Sequence, residues 1–217
     1  MSDYTSQITT PAQPNLGNPG EVYDRLFFSQ TLSNIGNYAK RITNALGALF
    51  GPRGGKYLNV PYGAFQDSTD QVAANTTTAY AITFDTTDFS NGVTLSNSSR
   101  LNVSQSGIYN VQFSIQFTNT TNASQDVDVW FRKNGTNIDK SNSRFGFAPR
   151  KGVGDPFHTI SAMNFFVSMN ANDYVEIMWR TTDVGVSIEQ YAAGTSPTRP
   201  SVPSAIVTLS FVSNLSV

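Results

Sequence analysis

The stretch "SGIYNVQFSIQF", residues 106–117, decides the expected fold. After Ile108 the larger apolar side chains are all odd-numbered: Val111, Phe113, Ile115 and Phe117. The positions between them are polar, with Gln112, Ser114 and Gln116 on the even parity. Successive side chains of a β-strand point to opposite faces, so the odd face should fill a core, and the even face should meet water or another subunit. The stretch therefore predicts a long central strand of a two-layered β fold.

The composition fits such a fold and excludes several classes of protein. The chain has 217 residues, which suits one sandwich or barrel domain with an appendage, and 39% of them are hydrophobic. Charged residues make up 13%, about half the usual share, and the formal net charge is -1. A chain without a basic excess is not expected to bind nucleic acid. The absence of cysteine excludes disulfides and thiolate metal sites.

The N-terminal sequence "MSDYTSQITTPAQP" lacks the basic start and apolar run of a signal peptide. No segment approaches the roughly 18 consecutive apolar residues that a membrane span requires. We therefore expect that the chain does not insert into a membrane. We also expect that it is made in a reducing compartment.

Three regions differ in composition. Residues 1–20 are polar and rich in proline and glycine, which predicts an extended N-terminal arm. Residues 21–56 form a predicted helical anchor, from about residue 22 to 49, followed by the glycine-rich hinge "GPRGGK" at 51–56. The hinge lacks the spacing of a phosphate-binding P-loop. Residues 57–217 show the β pattern.

The predicted helix carries an apolar stripe at alternating spacings of four and three residues. The stripe consists of Phe28, Leu32, Ile35, Ala39, Ile42, Leu46 and Leu49. Such a heptad pattern is typical of a helix that packs on other helices. A single amphipathic helix on its own domain shows nearly the same stripe, and Gly36 and Gly47 weaken a free-standing helix. Both interpretations remain open: an oligomerisation or docking helix, and an intramolecular one.

The region after the hinge predicts many short strands separated by turn residues. The candidate strands are 62–66, 80–84, 93–95, 100–103, 107–117, 126–133, 158–167, 173–180, 184–190 and 204–212. This rhythm without intervening helices predicts a β-sandwich or jelly roll. The expected densest core is Tyr109, Val111, Phe113, Ile115, Trp130, Ile177 and Phe211.

The sequence offers little catalytic chemistry. The only histidine is His158, and the sequence contains no Gly-x-Ser-x-Gly nucleophile elbow. A Ser-His-Asp or Cys-His catalytic scheme would therefore depend on His158 alone. Asp126 and Asp128 share a strand face and could offer carboxylates to a cation, but no EF-hand loop surrounds them, and we interpret them as solvated strand charges. We expect neither an enzyme nor a cofactor or metal site.

Four elements of the β region resemble, in the same order, those of C1q/TNF-like domains. Residues 106–109 (SGIY) are similar to the turn glycine that begins a long core strand, and residues 127–135 (VDVWFRKNG) to the strand ending in a "K-N-G" hairpin. Residues 169–175 (MNANDYV) resemble a loop-"G-D-x-V" element, with Asn172 in the usual glycine position. Residues 204–211 (SAIVTLSF) resemble the closing C-terminal strand.

The resemblance implies a jelly roll that associates as a tight homotrimer, often at the end of a stalk. The chain has neither a signal peptide nor a collagen-like Gly-x-y repeat, so an animal complement or cytokine role does not fit. The polar arm, the helix and the surface rich in Asn, Thr and Ser are similar to bacteriophage virion proteins. Residues 57–67 (YLNVPYGAFQD) resemble structural proteins of marine phages.

These observations lead to the expectation of a phage virion structural protein, assembled in the bacterial cytoplasm. It would be a trimeric surface knob or short fibre on the capsid or the tail. Residues 1–50 would attach it to another virion protein, such as a capsid, portal/adaptor or tail protein. Two alternatives are a capsid decoration protein and a carbohydrate- or receptor-binding module for host glycans. In the second, Tyr191 in the loop 190–203 offers a ring for stacking on sugars.

Overall fold

The computed structural model describes residues 12–14, 25–50 and 60–214, with side chains described as far as residue 47 within the helix. The chain divides into two compact units, Met1–Val60 and Pro61–Val217. Most of the expected arm (residues 1–20) and the expected joint at 51–55 lie outside the described residues.

The first unit contains the helix α1, Arg25–Phe50. Its apolar residues recur at helical spacing, and no proline interrupts them. The first turn carries no acidic residue and the last turn no basic residue, so side-chain charges do not stabilise the helix dipole. The stability of a helix of this kind comes mainly from packing of its apolar face.

The second unit is built from antiparallel strands. They are β1 (Tyr62–Asp67), β2 (Gln71–Val72), β3 (Tyr80–Ala81), β4 (Thr86–Asn91), β5 (Val93–Ser96), β6 (Arg100–Val103), β7 (Gly107–Asn119), β8 (Gln125–Lys133), β9 (Thr136–Asn137), β10 (Ser143–Phe147), β11 (Phe157–Met169), β12 (Tyr174–Thr181), β13 (Val186–Ile188), β14 (Gly194–Thr195), β15 (Thr198–Arg199) and β16 (Ala205–Ser213). Residues 60–214 contain no helix, as the pattern predicts.

Fourteen of these strands form two seven-stranded sheets. Sheet A has the order β2-β13-β7-β16-β1-β4, with β11 on the other side of β7. Sheet B has the order β10-β8-β12-β6-β5, with β3 paired to β12 and β9 to β8. The chain crosses between the sheets from β2 to β3, β3 to β4, β4 to β5, β6 to β7, β7 to β8, β10 to β11, β11 to β12 and β12 to β13. The second unit is therefore a β-sandwich.

The core lies between the two sheets, and β7 contributes its odd-numbered side chains to it, as the opening stretch predicts. Phe113 approaches Phe131 of sheet B with ring centroids 5.9 Å apart, and Phe117 approaches Trp179 at 5.8 Å. Five of the predicted core residues are buried: Tyr109, Val111, Phe113, Ile115 and Ile177. Burial of such side chains contributes about 1.5–3 kcal/mol each.

Two predicted core residues are placed differently. Trp130 is only half-buried, because its even-numbered position in β8 points away from the core, which the odd-numbered Val127, Val129 and Phe131 fill. Phe211 packs against the edge of the core and is partly buried, with its ring edge-on to Tyr109 at 5.7 Å.

The ten predicted strands all occur, but their lengths differ. Residues 80–84 contribute only Tyr80–Ala81 as strand, although Ile82 and Phe84 are buried beyond it, and residues 184–190 contribute Val186–Ile188. β2, β4, β9, β10, β14 and β15 were not predicted, since they are short, largely polar, or interrupted by glycine. The predicted hairpin turn at Asn134–Gly135 is present, with φ of 49° and 82°.

Candidate functional site

The first candidate site is the apolar stripe of α1. Phe28, Leu32, Ile35 and Leu46 keep between 45% and 54% of their surface exposed. Ala39 is also exposed, Ile42 is half-buried, and Leu49 is described by its backbone alone. The helix thus places the predicted anchoring residues on one side, and that side is largely open to solvent within its own unit. An open apolar stripe is typical of a contact surface.

The chain's own N-terminal residues lie on a different side of α1. Residues 12–14 line a shallow cavity of about 290 Å³ together with Asn34, Asn37, Tyr38 and Arg41. Asn34, Asn37 and Arg41 lie about a third of a turn or more from the centre of the heptad stripe, whereas Tyr38 borders the stripe beside Ile42. Residues 12–14 therefore lie mainly against polar residues of α1 and meet the stripe only at its border, at Tyr38.

The second candidate site is the outward face of sheet A. Its even-numbered positions are Ile108, Asn110, Gln112, Ser114, Gln116 and Thr118 in β7; His158, Ile160, Ala162, Asn164, Phe166 and Ser168 in β11; and Ile206, Thr208, Ser210 and Val212 in β16. We call these positions the uncharged face, since none of them is Asp, Glu, Lys or Arg. Ile160 and Phe166 are 59% and 58% exposed. Charged side chains lie at the ends of the face, where Lys133 donates to the backbone oxygen of Ser168 and Glu189 accepts from the hydroxyl of Tyr191. Exposed apolar side chains in a largely uncharged surface are typical of subunit contacts.

The uncharged face ends at the edge of β11, where Lys133 of the other sheet donates to the backbone oxygen of Ser168 at 2.9 Å. β11 runs beside β7 over all of its 13 residues, and no described strand pairs with its other edge. It contains no proline, lysine or other charged residue that would protect it against pairing. The side-chain oxygen of Asn110, next to Phe166 in the register, is buried without a hydrogen-bond partner. Both features favour a neighbour at this side of the sandwich.

The outward face of sheet B is charged instead, and Asp128 is at its centre. Arg144 donates from Nε to Oδ1 at 2.9 Å and from Nη2 to Oδ2 at 3.2 Å, and Arg180 donates from Nε to Oδ2 at 2.8 Å. The Arg144 hydrogen bonds, followed by those of Arg180, lower the pKa of Asp128 despite its burial. The interpretation of Asp128 as a solvated charge is therefore wrong, and its oxygens are occupied by arginines. The neighbouring Asp126 is half-buried on the same strand face.

Glu176 forms a second buried cluster on sheet B. Arg132 donates from Nε to its Oε2 at 2.9 Å, and the hydroxyl of Ser99 donates to its Oε1 at 2.9 Å. Arg100 lies 3.5 Å away and places its guanidinium over the ring of Tyr174. The partners come from three different strands or loops, so these contacts tie sheet B together laterally. Nothing in this arrangement leaves a carboxylate oxygen open to a ligand.

His158 sits at the end of the uncharged face and takes part in a hydroxyl cluster. Its Nδ1 lies 2.8 Å from the hydroxyl of Tyr191 and 3.2 Å from that of Thr118. Thr118 is fully buried, so its hydroxyl is not accessible to a substrate as a nucleophile. Burial raises the pKa of Tyr191, and its ring packs edge-on to His158. The cluster fixes the loop that carries Tyr191, which leaves this ring less available for stacking on sugars than the sequence suggests.

In the described ranges, no three His, Asp or Glu side chains are close enough together to hold a metal ion. Within the same residues, no helix has the length and apolar character to cross a membrane. No protein-family model and no curated protein matches the chain.

Proposed function

We propose that this chain is a structural protein of a bacteriophage particle, a trimeric β-sandwich attached through residues 1–50. The observation that carries the proposal is the contrast between the two faces of the sandwich. The face of sheet B is covered by arginine–carboxylate clusters, whereas the uncharged face of sheet A exposes Ile160 and Phe166. Subunit interfaces are depleted of charged residues at their centre.

The occupant of the uncharged face is a second and a third copy of the same chain. The resemblance to C1q/TNF-like domains supports this choice, because those domains are jelly rolls that assemble as trimers. The alternation of the chain between the two sheets supports the jelly-roll type. Asn172 has φ of 71°, which explains why this position takes glycine in the resembling element and asparagine here.

The attachment to the particle is assigned to the stripe of α1. Exposed Leu, Ile and Phe side chains gain about 1.5–3 kcal/mol each on full burial, which is enough to offset the ordering of a docked helix. The stripe lies in a different unit from the uncharged face, so anchoring and trimerisation use separate surfaces. This separation favours a knob or short fibre over a capsid decoration protein, which would bury the sandwich against neighbouring capsid subunits.

The proposal is tested in the phage whose genome encodes the chain. Mass spectrometry of purified particles should detect the protein, and its absence would remove the virion role. The variant Ile35→Asp with Ile42→Asp should leave a folded, trimeric protein in the lysate but remove it from particles. Ser33→Asp with Asn44→Asp is the matched control, because it adds the same charge on the opposite side of α1. If the stripe variant is incorporated at the copy number of the control, α1 is not the anchor.

A further inference from the structure

The outward face of sheet B has a cavity of about 450 Å³ beside Trp130, between β8, β12 and residues 138–142. Its size falls in the range of small-molecule sites. It lies on the opposite layer of the sandwich from the uncharged face, so a ligand bound here does not compete with the proposed trimer contact.

Trp130 is the aromatic wall of this cavity, and its orientation is fixed. Its indole Nε1 donates a hydrogen bond to Oδ1 of Asn137 at 2.9 Å, and the ring is half-buried in the middle of β8. A tryptophan held in this way offers a rigid apolar surface at little cost in conformational entropy. The apolar C–H face of a pyranose ring packs well on such a surface, while the hydroxyl groups at the rim of the sugar require polar partners.

Those polar partners surround Trp130. Asp128 and Arg180 hold each other in place at one side of the cavity. Asp139, Lys140 and Asn142 line the other side, are exposed, and make no side-chain hydrogen bond to another described residue. The set thus combines preorganised groups with free donors and acceptors, which is the combination that orients a polyhydroxylated ligand.

The charges of the lining restrict the class of ligand. Among the residues that line the cavity, the carboxylates of Asp128 and Asp139 balance the cations of Arg180 and Lys140, so the lining itself carries no net positive charge to favour a phosphate or a nucleic acid. Asp128 is already neutralised by arginine, which also disfavours a cationic ligand. A neutral molecule with one apolar face and many hydroxyl groups fits both restrictions.

We propose that the Trp130 cavity binds one neutral hexopyranose unit of an oligosaccharide or surface glycan. The ring stacks on Trp130, and its hydroxyl groups exchange hydrogen bonds with Asn142, Asp139 and Lys140. Binding here is independent of the attachment of α1 to a particle, so its failure and the failure of the virion role are separate results.

The test uses the full chain, which contains only two tryptophans. Trp179 is buried in the core, so the two indole N–H resonances of a ¹⁵N-labelled sample report one site and one internal reference. Maltohexaose, cellohexaose, mannohexaose and chitohexaose are titrated separately. The spectrum of Trp130→Phe identifies the Trp130 resonance, because that resonance is missing from it. At least one sugar should shift the Trp130 resonance until it saturates, with a dissociation constant of about 1 mM or below. The Trp179 resonance should stay in place.

Three variants and a control decide the contribution of the cavity, and their affinities are measured by isothermal titration calorimetry, because two of the variants lack the Trp130 resonance. Trp130→Ala and Asn142→Ala should each weaken binding by at least about tenfold, and Trp130→Phe should restore part of the loss. Phe89→Ala removes an exposed aromatic side chain from sheet A and should bind like the wild type. If none of the four sugars moves the Trp130 resonance, or if Asn142→Ala and a folded Trp130→Ala keep wild-type affinity, the assignment is wrong.

Discussion

The ring of Phe211 occupies the space that a side chain at Gly107 would need. A Cβ added at Gly107 would lie 2.8 Å from Cδ2 of that ring and 2.8 Å from the backbone oxygen of Ser213. Gly107 begins β7, and Phe211 lies near the end of β16, its neighbour in sheet A. The glycine therefore allows β16, the last strand of the sandwich, to pack closely against the first residue of β7.

Gly107→Ala should destabilise the fold by about 1–3 kcal/mol, because the ring of Phe211 and the backbone at Ser213 must both move. Urea denaturation of the full chain measures the difference. Gly152→Ala is the matched control, since no atom lies within 4 Å of the added Cβ, and it should change the free energy of unfolding by less than about 0.5 kcal/mol. Equal stability of the two variants would show that the Phe211 ring and the Ser213 backbone leave room for a side chain at position 107.

Phe113→Ala should cost about 3–5 kcal/mol, since the side chain is 4% exposed and packs on Phe131 across the sandwich. Phe89→Ala makes the same change at a residue that is 62% exposed and should cost less than about 1 kcal/mol. The free energy of unfolding from denaturant titration checks both values. A cost below about 1 kcal/mol at Phe113 would mean that the odd face of β7 does not point into the core.

Asp128→Asn should lower stability at neutral pH by about 1–3 kcal/mol, because it removes a charged partner from Arg144 and Arg180. The pKa of Asp128 in the folded state lies below its ordinary value of 3.8, so the folded protein releases this proton more easily than the unfolded chain does. The stabilisation is fully present above the unfolded pKa and is lost as the pH falls through the folded pKa.

The stability difference between the wild type and Asp128→Asn should therefore stay constant from pH 7 to 5 and shrink below about pH 4. Asp139→Asn, at an exposed residue outside the ion pairs, is the control and should follow the wild type. Thermal unfolding over this pH series provides the measurement. A difference that grows on acidification would contradict the assigned direction of the pKa shift.

The alternation in β7 was sufficient to predict the fold class and its buried face, because strand parity is a local property. The same alternation also applies to β8, but the prediction for Trp130 did not use it. Its size suggested a core position, although Val127, Val129 and Phe131 already defined the buried parity of β8. Parity, applied to this strand as to β7, places Trp130 on the outward face, beside the proposed sugar cavity.

The arginine–carboxylate clusters could not be predicted from the sequence. Arg144 and Arg180 come from β10 and β12 and reach Asp128 in β8 only through the register of three strands, Arg144↔Asp128 and Arg180↔Asp128. A single sequence does not contain this long-range register. The apolar stripe of α1 was predictable from the spacing of its residues. The exposure of the stripe was not predictable, because it depends on where residues 12–14 lie.

We expect copies of the chain to assemble through the uncharged face, and this assembly sets the mass of the protein in solution. Sedimentation of the full chain at micromolar concentration should give three times the chain mass of 23.6 kDa. Ile160→Asp with Phe166→Asp places two charges on the uncharged face and should abolish this contact, because buried unpaired carboxylates are costly. Val153→Asp, at a residue that is 92% exposed outside the face, should leave the trimer intact. A monomer at every accessible concentration, or a trimer that tolerates both face substitutions as well as it tolerates Val153→Asp, would contradict the account.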